Sequence, residues 1–224
     1  MGGPDKRVKT IYEEEEYLEA YSQHTDLRVE ADPKLAVGGM WEEIGHLQFG
    51  FLINKGLQPH HTILDIGCGT LRGGRHSIKY LNTSYYYGID ISPKAIAYAK
   101  QLVYQEGLSD KSPHLLVSEK KDLKFLEFSG KTFDYILAQS VFTHLKPEHI
   151  KECLENIGSI MHENSAFYFT YNKGKEYMRV SLKDFLYPFS FFELLAEQCG
   201  FKIQDCSKEY GHPRGQLMVE LIKR

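Results

Sequence analysis

Long apolar stretches are missing from this sequence of 224 residues. No run approaches the roughly 20 consecutive apolar residues that a membrane-spanning helix needs. Charge of one sign is also scarce, because 27 Lys and Arg stand against 30 Asp and Glu and leave a net charge of −3. Proteins that bind nucleic acids over a broad surface are typically strongly basic. We therefore expect neither a membrane nor a nucleic acid as a partner.

Cysteine is sparse, and its spacing lacks the C-x-x-C pairs that bind zinc or exchange disulfides. The doublet His60-His61 has no further ligand at metal-binding spacing, so no metal site is predicted. We expect free, reduced thiols in a cytoplasmic protein, which acts as a monomer or homodimer. The four cysteines are Cys68, Cys153, Cys199 and Cys206.

Internal repeats and low-complexity linkers are absent, so nothing divides the chain into several large domains. Residues 1–10 contain Gly, Pro and Lys without an apolar core, which predicts a disordered tail rather than a secretory signal. Residues 11–56 predict a helical extension, in which 11–22 and 41–55 each place apolar residues on one helical face. The remaining residues, 57–224, are predicted to form the main domain.

Short β-rich segments alternate with helical segments throughout the main domain. Ser92 and Pro93 indicate the start of one helix, and Ser190 and Glu193 predict a capping box for another. The alternation predicts an α/β fold with a mostly parallel, doubly wound sheet, which binds ligands at the carboxyl ends of its strands. The seven predicted strands are residues 61–66, 84–89, 114–118, 133–139, 166–171, 201–206 and 217–222.

The first predicted strand runs into a glycine-rich turn, Asp65-Ile66-Gly67-Cys68-Gly69-Thr70. Gly67 and Gly69 have no Cβ, so the backbone can approach a ligand closely. A dinucleotide-binding loop would read G-x-G-x-x-G, but Arg72 stands at the third glycine position. The turn therefore indicates a nucleotide-like ligand and weakens the case for NAD. A tight turn without a ligand is the alternative.

An acidic residue, Asp90, follows the second predicted strand. A carboxylate at this point accepts two hydrogen bonds from the 2′,3′-diol of a ribose and would repel a 2′-phosphate. The other common role of such an acid is to cap the next helix, and Ser92 already fills that role. Asp90 is therefore predicted to bind a ribose, which disfavours NADP.

The glycine-rich turn and the later stretch Gly88-Ile89-Asp90-Ile91-Ser92 resemble the first two motifs of class I S-adenosylmethionine-dependent methyltransferases. Asp122-Leu123 and residues 133–145 resemble the two motifs that follow in that family. The resemblance covers about residues 60–172. It implies a Rossmann-like sheet of seven strands with an antiparallel last strand, and S-adenosylmethionine as the cofactor.

The resemblance also implies a role for individual residues at the adenosine end of the cofactor. Asp90 would bind the ribose, and Ile91 would cover one face of the adenine. Asp122 would accept a hydrogen bond from the adenine amino group, while the Leu123 N–H would donate to a ring nitrogen. For Asp122, a solvated acid among neighbouring lysines is the alternative.

At the methionine end, Gly67 and Gly69 would pass beneath the cofactor. Asp65 would hold the loop or the amino group, and Gln139 would meet the amino-acid end. Arg72 would face the carboxylate, with a solvated arginine as the alternative. The full predicted cofactor set is Asp65, Gly67, Cys68, Gly69, Arg72, Asp90, Ile91, Asp122, Leu123 and Gln139.

Transfer of a methyl group from a sulfonium is an in-line displacement that depends mainly on how the acceptor is held. An oxygen acceptor also needs a general base, for which histidine is the usual residue. His144 follows the fourth predicted strand, and His212 lies in the polar connection 211–216 before the last strand. Both are predicted catalytic residues, and simple loop packing is the alternative for each.

Two regions of the sequence are candidates to cover the acceptor. In this family, segments before the first strand often close over the cofactor, although packing between helices would also explain their aromatic rings. The segment 172–189 carries Lys173, Lys175 and Arg179 among aromatic residues, which suits a small, partly apolar, acidic acceptor or a loop packed on the sheet. The predicted substrate-binding residues are Tyr21, Trp41, Tyr171 and Arg214.

Other functions share parts of this pattern. An NAD-dependent oxidoreductase or epimerase has the same strand, glycine turn and acid, but no Tyr-x-x-x-Lys pair follows the fourth strand here. A protein or RNA methyltransferase is a second alternative, although residues 139–142 lack an Asn-Pro-Pro-Tyr-like motif. A binding protein without activity is a third. We predict methyl transfer from S-adenosylmethionine to a small-molecule acceptor, at oxygen or nitrogen.

Overall fold

The computed structural model describes residues 6–224 and begins with a helical extension. Residues 6–10, which the sequence assigned to a disordered tail, are helical, whereas residues 1–5 lie outside the described part. The predicted helix over 11–22 is wrong, because the chain breaks at Glu15 and Glu16 into two helices. Acidic residues at a helix C-terminus oppose the helix dipole, which accounts for the break. The helices of the extension are α1 (Lys6–Glu14), α2 (Tyr17–Ala31), α3 (Pro33–Ala36) and α4 (Trp41–Asn54).

The main domain contains nine strands, which are numbered here in chain order. Seven of them form one sheet, and the other two form a separate hairpin. Each of the seven strands of the sheet coincides with a predicted strand to within a few residues. The strands are β1 (Ile63–Ile66), β2 (Tyr86–Asp90), β3 (His114–Val117), β4 (Phe133–Ala138), β5 (Met161–Tyr171), β6 (Met178–Arg179), β7 (Phe185–Leu186), β8 (Phe201–Asp205) and β9 (Leu217–Lys223).

The sheet has the spatial order β3-β2-β1-β4-β5-β9-β8. The first five of these strands pair in parallel, and β9 runs antiparallel to both β5 and β8. β1 lies at the centre, with Leu64 opposite Tyr87 on one side and Ile136 on the other. The predicted Rossmann-like fold with an antiparallel last strand is confirmed. The strand order reverses between β1 and β4, so a ligand site is expected at their carboxyl ends.

Helices of the main domain cover both faces of this sheet. Ser92 caps α6 (Pro93–Gln105), because its Oγ accepts a hydrogen bond from the Ala95 N–H, as predicted. The predicted capping box is wrong, since α8 (Phe189–Gln198) begins directly after Pro188 and places Ser190 inside the first turn. The helices are α5 (Gly74–Tyr80), α6 (Pro93–Gln105), α7 (Pro147–Ile157), α8 (Phe189–Gln198) and α9 (Ser207–Tyr210).

The core consists of two apolar clusters separated by the sheet. Alternate residues of β5 enter different clusters: Phe167 and Phe169 pack in one, and Tyr168 packs in the other. This follows from the pleat of a strand, which points successive side chains to opposite faces. Buried rings on both faces hold the strands in place and so position the loops at their carboxyl ends. Among residues 6–224, no helix is long and apolar enough to cross a membrane.

Candidate active site at the carboxyl edge of the sheet

A cavity of about 370 Å³ lies at the carboxyl ends of the central strands, where the strand order reverses. Its floor comes from the loops after β1, β2 and β4, and α2 with the segment after α3 forms the opposite wall. Fourteen of the sixteen residues predicted for the site line this cavity. They are Tyr21, Asp65, Gly67, Cys68, Gly69, Arg72, Asp90, Ile91, Asp122, Leu123, Gln139, His144, His212 and Arg214.

Two positions in the glycine turn, Gly67 and Gly69, favour a residue without a side chain. Gly67 and Gly69 have φ values of +66° and +55°, a region that other residues rarely adopt. A Cβ at Gly67 would come within 2.5 Å of a methyl carbon of Val141, and one at Gly69 within 2.7 Å of Val37. The Gly67 N–H donates to the carbonyl of Ile89 at 2.8 Å, which ties the turn to β2.

Asp90 braces the glycine turn from the end of β2. Its Oδ2 accepts a hydrogen bond from the Gly69 N–H at 2.9 Å, and its Oδ1 accepts one from the Ser92 N–H at 2.8 Å. Burial raises the pKa of Asp90 to about 6, although these N–H donors lower it. Each carboxylate oxygen has more than one lone pair, so the group can still accept hydrogen bonds from a ligand.

Asp65 lies beneath the turn, at the end of β1. Its Oδ2 accepts a hydrogen bond from the Tyr86 hydroxyl at 2.7 Å. Burial raises the pKa of Asp65 to about 7, against the lowering effects of Tyr86 and Arg72. A cationic group in the cavity beside Asp65 would favour its charged form.

Arg72 connects the glycine turn to the helical extension. Its Nη1 donates to the carbonyls of Val37 at 2.6 Å and Gly39 at 3.0 Å, and its side chain is buried, so the alternative of a solvated arginine is wrong. Burial lowers the pKa of Arg72 to about 10, which leaves it charged at neutral pH. The Nε of Arg72 has no hydrogen-bond partner among the residues that the structure describes.

The adenine end of the predicted site is only partly as expected. Ile91, Asp122 and Leu123 all line the cavity. The Leu123 N–H, however, donates to Glu152 Oε2 at 3.0 Å, so the predicted donation to an adenine nitrogen is wrong for this structure. Sequence reasoning missed Glu152 because it lies on α7, away from the motif. Leu123 can therefore contribute apolar surface but not this N–H.

Gln139 is held in a hydrogen-bond network at the end of β4. Its Nε2 donates to Ser140 Oγ at 3.0 Å and Gln216 Oε1 at 3.1 Å, and its Oε1 accepts from the Tyr210 hydroxyl at 2.5 Å. Thr170 Oγ1 accepts from the Ser140 N–H at 2.7 Å, which holds Ser140 at a φ of +56°. The side chain of Gln139 thus fixes the loop after β4, a role that the sequence did not indicate.

His144 lies in the cavity wall beside an aspartate, Asp184. Its Nδ1 is 2.9 Å from the carbonyl oxygen of Lys183 and 3.1 Å from Asp184 Oδ1. Because both neighbours accept hydrogen bonds, the proton of the neutral ring belongs on Nδ1 and the lone pair on Nε2. Burial lowers the pKa of His144, and the hydrogen bond with Asp184 partly offsets this effect. The ring of Tyr21 packs at 5.3 Å from the ring of His144.

Asp184 belongs to a short turn between β6 and β7 that carries its own hydrogen bonds. Ser181 Oγ lies 2.5 Å from Asp184 Oδ2 and accepts from the Asp184 N–H at 3.1 Å. Despite burial, the hydrogen bonds from His144 and Ser181 hold the pKa of Asp184 well below its usual range. Sequence reasoning missed Asp184. The Ser-x-x-Asp spacing was its only local signal, and that spacing is typical of many turns.

His212 also reaches the cavity, in different surroundings. Its Nδ1 accepts a hydrogen bond from the Arg214 N–H at 3.2 Å, and its buried Nε2 has no partner among the described residues. Burial, together with Arg72 and Arg214, lowers the pKa of His212 to about 4. A histidine between two cations and without a carboxylate is a weak proton acceptor.

The helical extension is fastened over the cavity by polar contacts. Ser22 Oγ donates to the Ile91 carbonyl at 2.7 Å, and Ser92 Oγ donates to Asp26 Oδ1 at 2.5 Å. At the other end of the wall, Arg214 Nη2 donates to the carbonyl of Gly38 at 2.5 Å. The extension is therefore part of the cavity wall, as its position before the first strand suggested.

Two predicted substrate-binding residues, Trp41 and Tyr171, do not line the cavity, and these predictions are wrong. Trp41 is buried at the start of α4, with the Arg75 guanidinium 5.5 Å from its ring. Tyr171 packs against Phe192, with ring centroids 4.7 Å apart. Side chains alternate along a strand, so β5 turns Thr170 towards the cavity network and Tyr171 towards the core.

Known proteins share this architecture. A family model described as a methyltransferase domain matches residues 64–167. The magnesium protoporphyrin IX methyltransferase of Synechocystis PCC 6803, solved with bound SAH, is 14% identical at a TM-score of 0.68, over 93% of this chain and 100% of that chain. A TehB-like SAM-dependent methyltransferase from Corynebacterium glutamicum is 21% identical at a TM-score of 0.61, over 92% and 99%. A SAM-dependent methyltransferase from Leishmania major is 14% identical at a TM-score of 0.67, over 95% and 85%.

At these identities, the likeness to the solved structures establishes a shared fold. The family match identifies residues 64–167, which include the glycine turn and Asp90, as a methyltransferase domain. The cavity lies where this fold places its ligand, at the reversal of strand order. The chain therefore contains a methyltransferase domain and shares the fold of S-adenosylmethionine-dependent methyltransferases.

Proposed function

We propose that this enzyme methylates an oxygen atom of a small-molecule acceptor, with His144 as the general base. The observation that carries the proposal is the pairing of His144 with Asp184 in the wall of a cavity of about 370 Å³. Methylation of an amine needs no such pair when the amine is already neutral. An acceptor hydroxyl, in contrast, must lose its proton to react.

The residues around the glycine turn fit S-adenosylmethionine in shape and charge. Gly67 and Gly69 line the cavity without side chains that would block a close approach of the ligand, and Ile91 and Leu123 offer apolar surface for the adenine. We assign Asp90 to the ribose diol and Asp65 to the ammonium group, whose positive charge would offset the effect of burial on the Asp65 carboxylate. When bound, S-adenosylmethionine supplies a methyl group activated by a positively charged sulfur.

Asp65 and Arg72 have different proposed roles at the methionine end. Arg72 donates through Nη1 to the carbonyls of Val37 and Gly39, and its Nε has no partner among the described residues. We therefore assign Arg72 chiefly to holding the extension over the cavity. Asp122, whose Oδ1 accepts a hydrogen bond from the Lys124 N–H at 3.2 Å, keeps its other oxygen for the adenine amino group.

In the proposed mechanism, His144 Nε2 would accept the proton of the acceptor hydroxyl, so that its oxygen could take the methyl group that bound S-adenosylmethionine would supply. Asp184 keeps the Nδ1 proton in place and stabilises the imidazolium that forms, as an aspartate does in a hydrolase triad. His212 has no carboxylate, and its pKa of about 4 makes it a poor base. We therefore assign the proton transfer to His144 alone.

Tyr21 and Arg214 are the remaining substrate candidates in the cavity wall. Burial raises the pKa of Tyr21, so its hydroxyl remains protonated and can donate to the acceptor. Its ring, 5.3 Å from that of His144, gives the acceptor an apolar surface next to the base. Arg214 is bound to Gly38 and would help to close the cavity. We also propose a cytoplasmic monomer or homodimer without nucleic-acid or membrane partners, from the charge balance and the free thiols.

The proposal can be tested by mass spectrometry. The purified protein is incubated with methyl-labelled S-adenosylmethionine and a protein-free, RNA-free cell extract. We expect the label in one or a few small molecules. If the acceptor is a hydroxyl group, the labelled methyl group should remain attached after a treatment that hydrolyses esters. Label found only in protein or RNA, when those are added back, would contradict a small-molecule acceptor.

A further inference from the structure

Two cationic side chains, Arg28 and Lys183, line the end of the cavity that holds His144. Arg28 projects from α2, and its Nη2 donates to the Leu35 carbonyl at 2.8 Å. No carboxylate of the described residues lies within 4.0 Å of the guanidinium of Arg28. Lys183 comes from the turn between β6 and β7, and its Nζ is 3.6 Å from Asp184 Oδ1. Two elements far apart in the sequence thus bring positive charge to one place.

Asp184 cannot neutralise both cations, because it is already engaged. Its Oδ1 lies 3.1 Å from His144 Nδ1, and its Oδ2 lies 2.5 Å from Ser181 Oγ. His24, which lies beside them, adds no charge at neutral pH, because burial lowers its pKa to about 4. The acceptor end of the cavity therefore carries a net positive charge in a protein whose overall charge is −3.

The two cations also act on each other. Burial lowers the pKa of Lys183, Asp184 opposes this, and Arg28 lowers it further. Like charges held together without enough counter-charge are unfavourable in a free protein and favourable once an anion binds between them. The lysines that the sequence indicated for an acidic acceptor, Lys173 and Lys175, are exposed and do not line the cavity.

We propose that the methyl acceptor is an anion whose carboxylate or phosphate group is bound by Arg28 and Lys183. This inference depends on the proposed function. His144 and the ring of Tyr21 lie beside the cation pair, so one molecule would place its hydroxyl at His144 Nε2 and its acid group between Arg28 and Lys183. The acceptor class is a hydroxylated small molecule with an acid group. An acceptor with a cationic group at that place would be repelled.

The first experiment separates the acceptors by charge. A small-molecule extract is divided by anion exchange at pH 8 into retained and unretained fractions, and each is incubated with the enzyme and methyl-labelled S-adenosylmethionine. We expect labelled product from the retained fraction. Loss of that product after phosphatase treatment of the fraction would identify a phosphate, and its survival would identify a carboxylate. Product from the unretained fraction alone would overturn the inference and leave the proposed function intact.

If neither fraction yields product and the protein does not bind S-adenosylhomocysteine, the proposed function itself fails. Binding of S-adenosylhomocysteine is measured separately by titration calorimetry, so the two failures are distinguishable. Addition of 0.5 M sodium chloride to the assay serves as a further test, because salt screens the attraction of exposed charges. We expect salt to raise the amount of retained fraction needed for half-maximal rate.

The second experiment uses Arg28→Gln and Lys183→Gln, with Arg28→Lys as the conservative variant. Loss of one charged hydrogen-bond partner should raise the KM for the retained fraction about 10–100-fold, with kcat much less affected. Arg28→Lys should recover part of the loss. Lys175→Gln, an exposed lysine of the same segment, is the matched control and should leave the KM unchanged. Circular dichroism melting shows which variants remain folded.

An unchanged KM in folded Arg28→Gln and Lys183→Gln proteins would contradict the proposal. So would an equal loss of affinity for S-adenosylhomocysteine, since that result would place both residues on the cofactor instead of the acceptor.

Discussion

The cavity has two sides of different origin. The cofactor side comprises the loops after β1, β2 and β3, with Gly67, Asp90 and Asp122. The acceptor side comprises the loop after β4, the turn between β6 and β7, and α2, with His144, Asp184 and Arg28. The residues of the cofactor side follow one another along one stretch of the sequence. The second is assembled from three segments that are remote from one another in sequence.

This difference shows which parts of a binding site can be predicted from the spacing of residues in the sequence. A glycine turn and an acid at the end of the next strand act through backbone geometry, so each motif has a fixed place in the sequence. The pairing of His144 with Asp184 depends instead on how the hairpin of β6 and β7 packs against the loop after β4, and no local pattern fixes it. If the comparison is correct, substitutions on the two sides should affect different quantities: affinity for the cofactor on one, and turnover or acceptor binding on the other.

The largest effect is expected from His144→Ala, which should lower turnover about 10²–10⁴-fold, since it removes the general base. Its affinity for S-adenosylhomocysteine should stay near the wild-type value. The matched control is His162→Ala, which removes a histidine that also lies beside an aspartate, 3.2 Å from Asp134 Oδ1, but outside the cavity. His162→Ala should keep wild-type turnover. A His144→Ala enzyme with normal kcat and KM would remove His144 from the acceptor side.

On the cofactor side, Asp90→Ala should weaken binding of S-adenosylhomocysteine by about 1.5–3 kcal/mol, or about 10–150-fold, the range for hydrogen bonds to a charged group. Calorimetry measures the affinity. Because Asp90 also accepts hydrogen bonds from Gly69 and Ser92, Asp90→Asn serves as the milder variant, and urea unfolding reports any loss of stability. Wild-type affinity in a folded Asp90→Ala protein would rule out the ribose assignment.

Asp184→Asn sharpens the comparison, because Asp184 Oδ1 lies 3.1 Å from His144 Nδ1 and holds the proton there. Without the carboxylate, the pKa of His144 should fall further and its Nδ1 proton is no longer fixed, so kcat should drop about 10–100-fold. The acid limb of the kcat profile should move to lower pH, because a histidine with a lower pKa stays neutral, and able to accept a proton, down to a lower pH. Asp110→Asn, an exposed aspartate outside the cavity, is the control. A merely structural role for Asp184 would lower stability and leave the pH profile in place.

The smallest effect concerns pH and belongs to the cofactor side. The pKa of Asp65 is raised to about 7 and that of Asp90 to about 6, both by burial, so these groups take up protons as the pH falls from 8 to 6. A protonated Asp65 cannot pair with an ammonium group. Affinity for S-adenosylhomocysteine should therefore fall by at most about tenfold per group over this interval. Calorimetry in two buffers of different ionisation enthalpy should show proton release at pH 7.

Asp65→Asn should abolish most of that proton release. An affinity that is independent of pH between 6 and 8 in the wild-type protein would contradict the assignment of Asp65 to the ammonium group.

The sequence was sufficient for the fold because each of its signals is local. Apolar strands such as 63–66, the cap at Ser92 and the glycine turn act within a few residues, and their order defines the sheet. The errors have the same explanation. Ser190 and Glu193 matched a capping box, but the helix begins at Phe189 because the preceding Pro188 sets the start of the first turn.

In the site, the sequence could indicate which loops meet but not which side chains point inwards. Trp41 and Tyr171 were predicted to bind the acceptor, yet both are packed in the core. Arg28 and Lys183 were not assigned, because a charged residue on a helix or in a turn is usually solvated. Only the packing of α2 over the sheet brings these two residues together.

The central claim is that the cavity binds S-adenosylmethionine through the glycine turn and Asp90. The most direct measurement is titration calorimetry of the folded protein with S-adenosylhomocysteine, S-adenosylmethionine and NAD. We predict one binding site per chain for the first two ligands, weakened in Asp90→Ala, and no binding of NAD. Binding of NAD, or no binding of either S-adenosyl compound to protein shown to be folded, would contradict the account.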